Sequence, residues 1–133
     1  MTVQEMLLEF HRAFNCSVDD RSEDVVKARS TLILEEYVEL RGELVNLWED
    51  LFRGRDTYTS LLYMAKELAD LVYVIYGTAV ALGIDLDKAV ELVHTSNMSK
   101  VGDDGLPQYR EDGKVLKGPN YKAPDMTSTV KNL

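Results

Sequence analysis

The sequence predicts an all-α chain, a four-helix bundle-like body followed by a C-terminal loop arm. Apolar residues recur at steps of three and four along four successive segments, and residues with capping chemistry stand at the breaks between them. All three prolines and four of the eight glycines lie beyond residue 100. With 133 residues, 45% of them apolar, the chain is sized for one compact core. A single domain over 1–133 is expected, with a helical body over about 1–100 and an arm over about 101–133.

The first helix is read from Val3, Met6, Leu7, Phe10 and Phe14, which share one face at helical spacing. The polar stretch NCSVDDRSED ends it, and Ser22 or Asp20 offers an N-cap for a long second helix from about Glu23 to Phe52. After GRDTYTS a third helix runs from about Tyr58 to Leu82. Gly83 then suits a left-handed C-cap, and Asp85 caps a fourth helix from Leu86 to about Met98. Beyond Lys100 no period is sustained. DGL and EDGK read as turns, and Asp125 as the cap of a short final helical turn.

Charge and composition exclude some classes of function. The net charge is −8, against a broad basic surface for nucleic acid. The acidity sits in the body: residues 1–96 hold 9 Lys/Arg against 18 Asp/Glu, whereas residues 97–133 hold 6 against 5. The longest uncharged apolar run, Leu71 to Ile84, is 14 residues, short of the roughly 20 that span a bilayer. The lone Cys16 allows no internal disulfide and MTVQEMLLEF lacks the pattern of a secretory signal, so the cytoplasm is the expected compartment.

The third helix holds the sharpest anomaly. LLYMAKELADLVYVIYGTAVAL has only three charged residues, Lys66, Glu67 and Asp70, and a helix apolar all round is normally buried. Glu67 and Asp70 lie about 60° apart, on a face shared with Tyr63, Leu71 and Val74. They are expected to point inward, where two adjacent carboxylates call for a cation. On the second helix Glu35, Glu36 and Glu39 fall within an arc of about 100°, with Leu32 and Leu47 on the same side. A run such as EEYVELRGE is by itself more often a solvated face; facing Glu67 and Asp70, it reads as half of a metal site between helices. Oxygen donors without nearby His or Cys suit Mg²⁺ or Mn²⁺. His11 and His94 read as satisfied core or surface residues. Glu91-x-x-His94 matches half of a di-iron signature whose second half is missing. Trp48 and Tyr37, Tyr63, Tyr73 and Tyr76 are expected in the core or at a subunit interface.

Together the acids read Glu35-Glu36-x-x-Glu39, 27 residues, then Glu67-x-x-Asp70. This double motif resembles the all-α nucleoside triphosphate pyrophosphohydrolase superfamily, the MazG-like and dimeric dUTPase-like proteins. The resemblance extends to EFHRAF, to Asn97-Met-Ser-Lys100 and to the arm EDGKVLKGPNYKAPD. It implies hydrolysis between the α- and β-phosphates of a nucleoside triphosphate, with release of pyrophosphate. Glu36, Glu39, Glu67 and Asp70 would ligate Mg²⁺ or Mn²⁺, more than one ion per site, and Glu35 would orient or deprotonate the attacking water. Lys100, Arg110, Lys114 and Lys117 would reach over the site to clamp phosphate, though lysines in a glycine-rich loop are commonly just solvated. Asn97 would read a base edge or cap the fourth helix, and Tyr121 would stack on a base or anchor the arm.

A homodimer or homotetramer is expected, because the apolar third helix needs more cover than one small chain offers. Phosphoribosyl-ATP pyrophosphohydrolase, which shares fold and bond, is the alternative enzyme. The other alternative is a non-catalytic metal-binding bundle.

Overall fold

The computed structural model describes residues 1–133. It contains four α-helices, α1 (Val3–Ala13), α2 (Glu23–Phe52), α3 (Tyr58–Leu82) and α4 (Leu86–Met98), and a 3-10 turn at Thr127–Thr129. There is no strand; Tyr109 and Val115 form an isolated bridge. The fold is all-α with bundle-like packing, as the periodicity implied. No helix is long and apolar enough to cross a membrane.

The caps explain where the helices start and stop. Thr2 and Glu5 form a reciprocal capping box: Glu5 N donates to Thr2 Oγ1 over 3.2 Å, and Thr2 N to Glu5 Oε2 over 2.6 Å. At α2 both predicted residues take part. Ser22 holds the N-cap position without a side-chain bond, and Asp20 Oδ1 braces it by accepting from Ser22 N over 2.9 Å. Gly83 closes α3 at φ +72°, a conformation a side chain would oppose. Asp85 accepts from Lys88 N at the start of α4.

The chain divides into two compact units, Met1–Ile84 with Leu133, and Asp85–Asn132. In the first, α3 packs against both α2 and α1. Helices α2 and α3 run antiparallel: Arg29 meets Val74 and Thr78, Glu36 and Glu39 meet Glu67 and Asp70, and Asp50 meets Ser60. Leu7, Leu40, Met64, Ala79, Val80 and Ala81 form the buried apolar core.

A polar knot sits at the closed end of this unit. Buried His11 donates from Nδ1 to the Ser17 carbonyl over 2.7 Å and so ties down the turn after α1. Arg29 donates from Nε to Thr78 Oγ1 over 3.0 Å and from Nη2 to the Val74 carbonyl over 2.8 Å. Gly77 makes room for both: a Cβ there would lie 2.5 Å from Arg29 Nη2 and 3.0 Å from His11 Nε2.

Within this chain α3 is covered only in part. Its C-terminal turns are buried at Gly77 and Ala79–Ala81, but Leu61, Leu62, Tyr63, Leu68 and Val72 are exposed. Two partner helices in one unit cannot cover every face of a 25-residue helix. Trp48, Tyr37, Tyr63 and Tyr73 are likewise exposed and are not core residues of this chain.

In the second unit α4 packs on the 3-10 turn, with Asp85 N donating to the Thr129 carbonyl over 2.7 Å. Asp125 Oδ1 accepts from Thr127 N at that turn, but the N-cap position predicted for Asp125 is held by Met126, one residue later. Two serines of α4 and its cap hold the arm: Ser96 Oγ donates to the Lys122 carbonyl over 2.7 Å, and Lys122 N to Ser99 Oγ over 2.9 Å. Gly118 N donates to the Lys100 carbonyl over 3.0 Å, so close that a Cβ would stand 2.6 Å from the Val101 carbonyl.

Candidate metal centre

Four of the five predicted acids meet. Glu36 and Glu39 lie one helical turn apart on α2, and Glu67 and Asp70 three residues apart on α3, so antiparallel packing sets the two pairs face to face. One carboxylate oxygen from each lies within 4.8 Å of the others. The setting is half-enclosed: the Glu67 side chain is 13% exposed and that of Asp70 37%.

Two observations bear on whether these residues fit a metal. Glu36 Oε2 and Glu67 Oε2 are buried with no hydrogen-bond partner, a costly state for a carboxylate unless a cation takes the lone pairs. Burial first, then the charges of Glu39, Asp70 and Glu67, push the Glu36 carboxyl above its ordinary value of 4.5. An all-oxygen donor set of this kind fits a hard divalent cation.

Glu35 lies outside the cluster, exposed on α2 beside Glu36. Sequence reasoning overlooked Lys66, whose ammonium bridges Asp70 Oδ2 at 2.7 Å and Glu67 Oε1 at 3.3 Å. The clue was its spacing, since Lys66 and Asp70 are an i,i+4 pair on a helix. Hydrogen bonds with Asp70 and then Glu67 hold the Lys66 ammonium above the ordinary lysine range.

The other predicted residues fall in the second unit. Lys100, Arg110, Lys114 and Lys117 line one cavity of about 510 Å³. Arg110 is already engaged, its guanidinium gripping the Asp112 carboxylate with two nitrogens. Lys117 stands over the Tyr121 ring, 4.7 Å from its centroid. Asn97 is exposed near the end of α4, where the residue capping the helix is Ser99. His94 is exposed, and no second Glu-x-x-His accompanies it.

No curated protein matches the chain. A family model described as phosphoribosyl-ATP pyrophosphohydrolase (PRA-PH) matches residues 7–97. The span covers more than half of the sequence, holds all five acids and ends before the arm. The chain therefore belongs to the phosphoribosyl-ATP pyrophosphohydrolase family, within the all-α nucleoside triphosphate pyrophosphohydrolase superfamily, and is a nucleotide pyrophosphohydrolase.

Proposed function

We propose that the chain is a divalent-metal-dependent nucleoside triphosphate pyrophosphohydrolase that releases the monophosphate and pyrophosphate. The observation that carries this reading is the four-carboxylate cluster, two of whose buried oxygens lack a partner. Glu36, Glu39, Glu67 and Asp70 are assigned to hold Mg²⁺ or Mn²⁺, more than one ion per site. Bound there, the ions supply neutralisation of phosphate oxygens and a lowered pKa for water. Glu35, next to the ligands but not among them, is assigned to orient the water and accept its proton. The water oxygen bonds to the α-phosphorus, the bond to the bridging oxygen breaks, and pyrophosphate leaves with the electron pair. Lys100 and Lys114 are assigned to phosphate and Asn97 to a base edge. Arg110, Lys117 and Tyr121 rank lower because each has a partner within the second unit.

The test is pyrophosphate release from a panel of nucleoside triphosphates with Mg²⁺ or Mn²⁺. Release should stop on adding EDTA and return with excess metal. Phosphoribosyl-ATP belongs on the same panel, because the matching family model bears its name and hydrolysis breaks the same bond. It ranks second as substrate, since the arm lies outside the match and EDGKVLKGPNYKAPD is less like that branch. Turnover of phosphoribosyl-ATP alone would select the second reading, and no release from any compound would overturn both.

The same reading includes self-association into a homodimer or homotetramer. Trp48 and Phe52, near the end of α2, are 71% and 86% exposed, and Leu51, Tyr58, Leu61 and Leu62 extend the open apolar surface. Large apolar side chains left open in this number support an interface. Sedimentation velocity at micromolar concentration should give a dimer or larger species, and Trp48→Asp with Phe52→Asp should shift it toward monomer. A monomeric wild-type protein would defeat the assignment.

A further inference from the structure

Lys66 occupies a place that belongs to a cation. Its Nζ contacts Asp70 at 2.7 Å and Glu67 at 3.3 Å, the two acids that α3 contributes to the cluster. The side chain is 64% exposed, so charge rather than packing holds it there. It neutralises the cluster incompletely, because Glu67 Oε2 and Glu36 Oε2 stay buried and unpartnered. One monovalent ammonium beside four carboxylates leaves most of their charge unbalanced, and a divalent ion among the same carboxylates is the better match.

The two positive charges oppose each other. A cation ligated by Glu67 and Asp70 draws on the same two carboxylates to which Lys66 donates, and its charge repels the ammonium a few ångströms away. The lysine stem is flexible and its ammonium is a point charge with rotatable donors, so leaving demands no backbone movement. Resting on the metal-site reading above, we propose that Lys66 is a built-in competitor for the metal. It serves as counter-ion of the metal-free cluster, is displaced from Glu67 and Asp70 when a divalent ion enters, and so sets the metal concentration at which the site fills. Displacement also frees a cation at the rim of the site, available to an anionic substrate only once metal is present. The competing account is an ordinary exposed ion pair of little consequence, which predicts no change in metal affinity when it is removed.

The experiment is a titration of the metal-free, full-length protein with Mn²⁺ alone, read by the paramagnetic resonance signal of free Mn²⁺, for wild type, Lys66→Met and Lys66→Arg. Melting temperatures are taken in EDTA and at saturating Mn²⁺. Lys66→Met should bind Mn²⁺ roughly fivefold more tightly, the scale on which exposed ion pairs act. It should melt below wild type in EDTA and lose that deficit with Mn²⁺, while Lys66→Arg stays close to wild type in both. Equal or weaker Mn²⁺ affinity in Lys66→Met, or a melting deficit that persists with Mn²⁺, overturns the competitor role. Failure of the wild-type protein to bind Mn²⁺ at all overturns the metal-site reading itself.

Discussion

Glu36→Gln is expected to lower pyrophosphate release by on the order of 10³-fold, the scale on which losing one electrostatic contact to developing charge acts, while making the metal-free protein more heat-stable. The two effects have one cause. In the folded, metal-free chain Glu36 is the acid most opposed by its surroundings, through burial first and then the charges of Glu39, Asp70 and Glu67. Its folded-state pKa lies above the unfolded one. The group therefore contributes stability that is fully present below about pH 4.5 and is lost as pH rises through the raised value. Metal-free wild type should thus melt progressively lower from pH 4.5 toward neutrality as far as this group controls it. Glu36→Gln, which keeps the shape and deletes the charge, should show a flatter profile and melt a few degrees higher at neutral pH. On the proposed ligand assignment, saturating Mg²⁺ should invert the order, because only wild type would keep all four carboxylates. Calorimetry with EDTA and with Mg²⁺, beside a pyrophosphate assay, reads all of this. A variant that melts lower than wild type in EDTA at neutral pH would show that Glu36 is not under electrostatic strain.

That trade between stability and function bears on which features were legible in the sequence. Helix boundaries were, because the signals at Ser22, Gly83 and Asp85 are local and stand at the helix ends themselves, although the Thr2–Glu5 capping box at the start of α1 went unread. The carboxylate set was legible for a different reason. Four acids at helical spacing on two apolar faces conflict with the patterning around them, and such conflicts concentrate at functional sites. Along α3 hydropathy reports that a face seeks cover, not what supplies it. The contacts holding the arm were not legible, since Ser96 and Ser99 reach Lys122, 26 and 23 residues away, and nothing in SNMSK distinguishes serines that clamp a distant backbone from solvated ones. The roles of Arg29, His11 and Gly77 were hidden likewise: a glycine inside a helix announces close approach but not by what.

Gly77→Ala is expected to destabilise the protein by about 2 kcal/mol, lowering its melting temperature by several degrees. Two effects oppose each other. Alanine favours the helix over glycine by up to about 1 kcal/mol, which alone would stabilise α3. Against this, the new methyl would stand 2.5 Å from Arg29 Nη2 and 3.0 Å from His11 Nε2, distances at which one group must move. His11 is buried and tied to Ser17, so Arg29 is the one to yield. Its withdrawal gives up the bonds to Thr78 Oγ1 and the Val74 carbonyl, and hydrogen bonds from a charged donor are worth about 1.5–3 kcal/mol each. The clash therefore outweighs the gain in helix propensity. A double-mutant cycle separates the terms: with Arg29→Ala already in place, Gly77→Ala should cost far less and recover part of its helix-forming benefit. An equal cost in both backgrounds would mean that the penalty arises elsewhere, with His11 the first residue to examine.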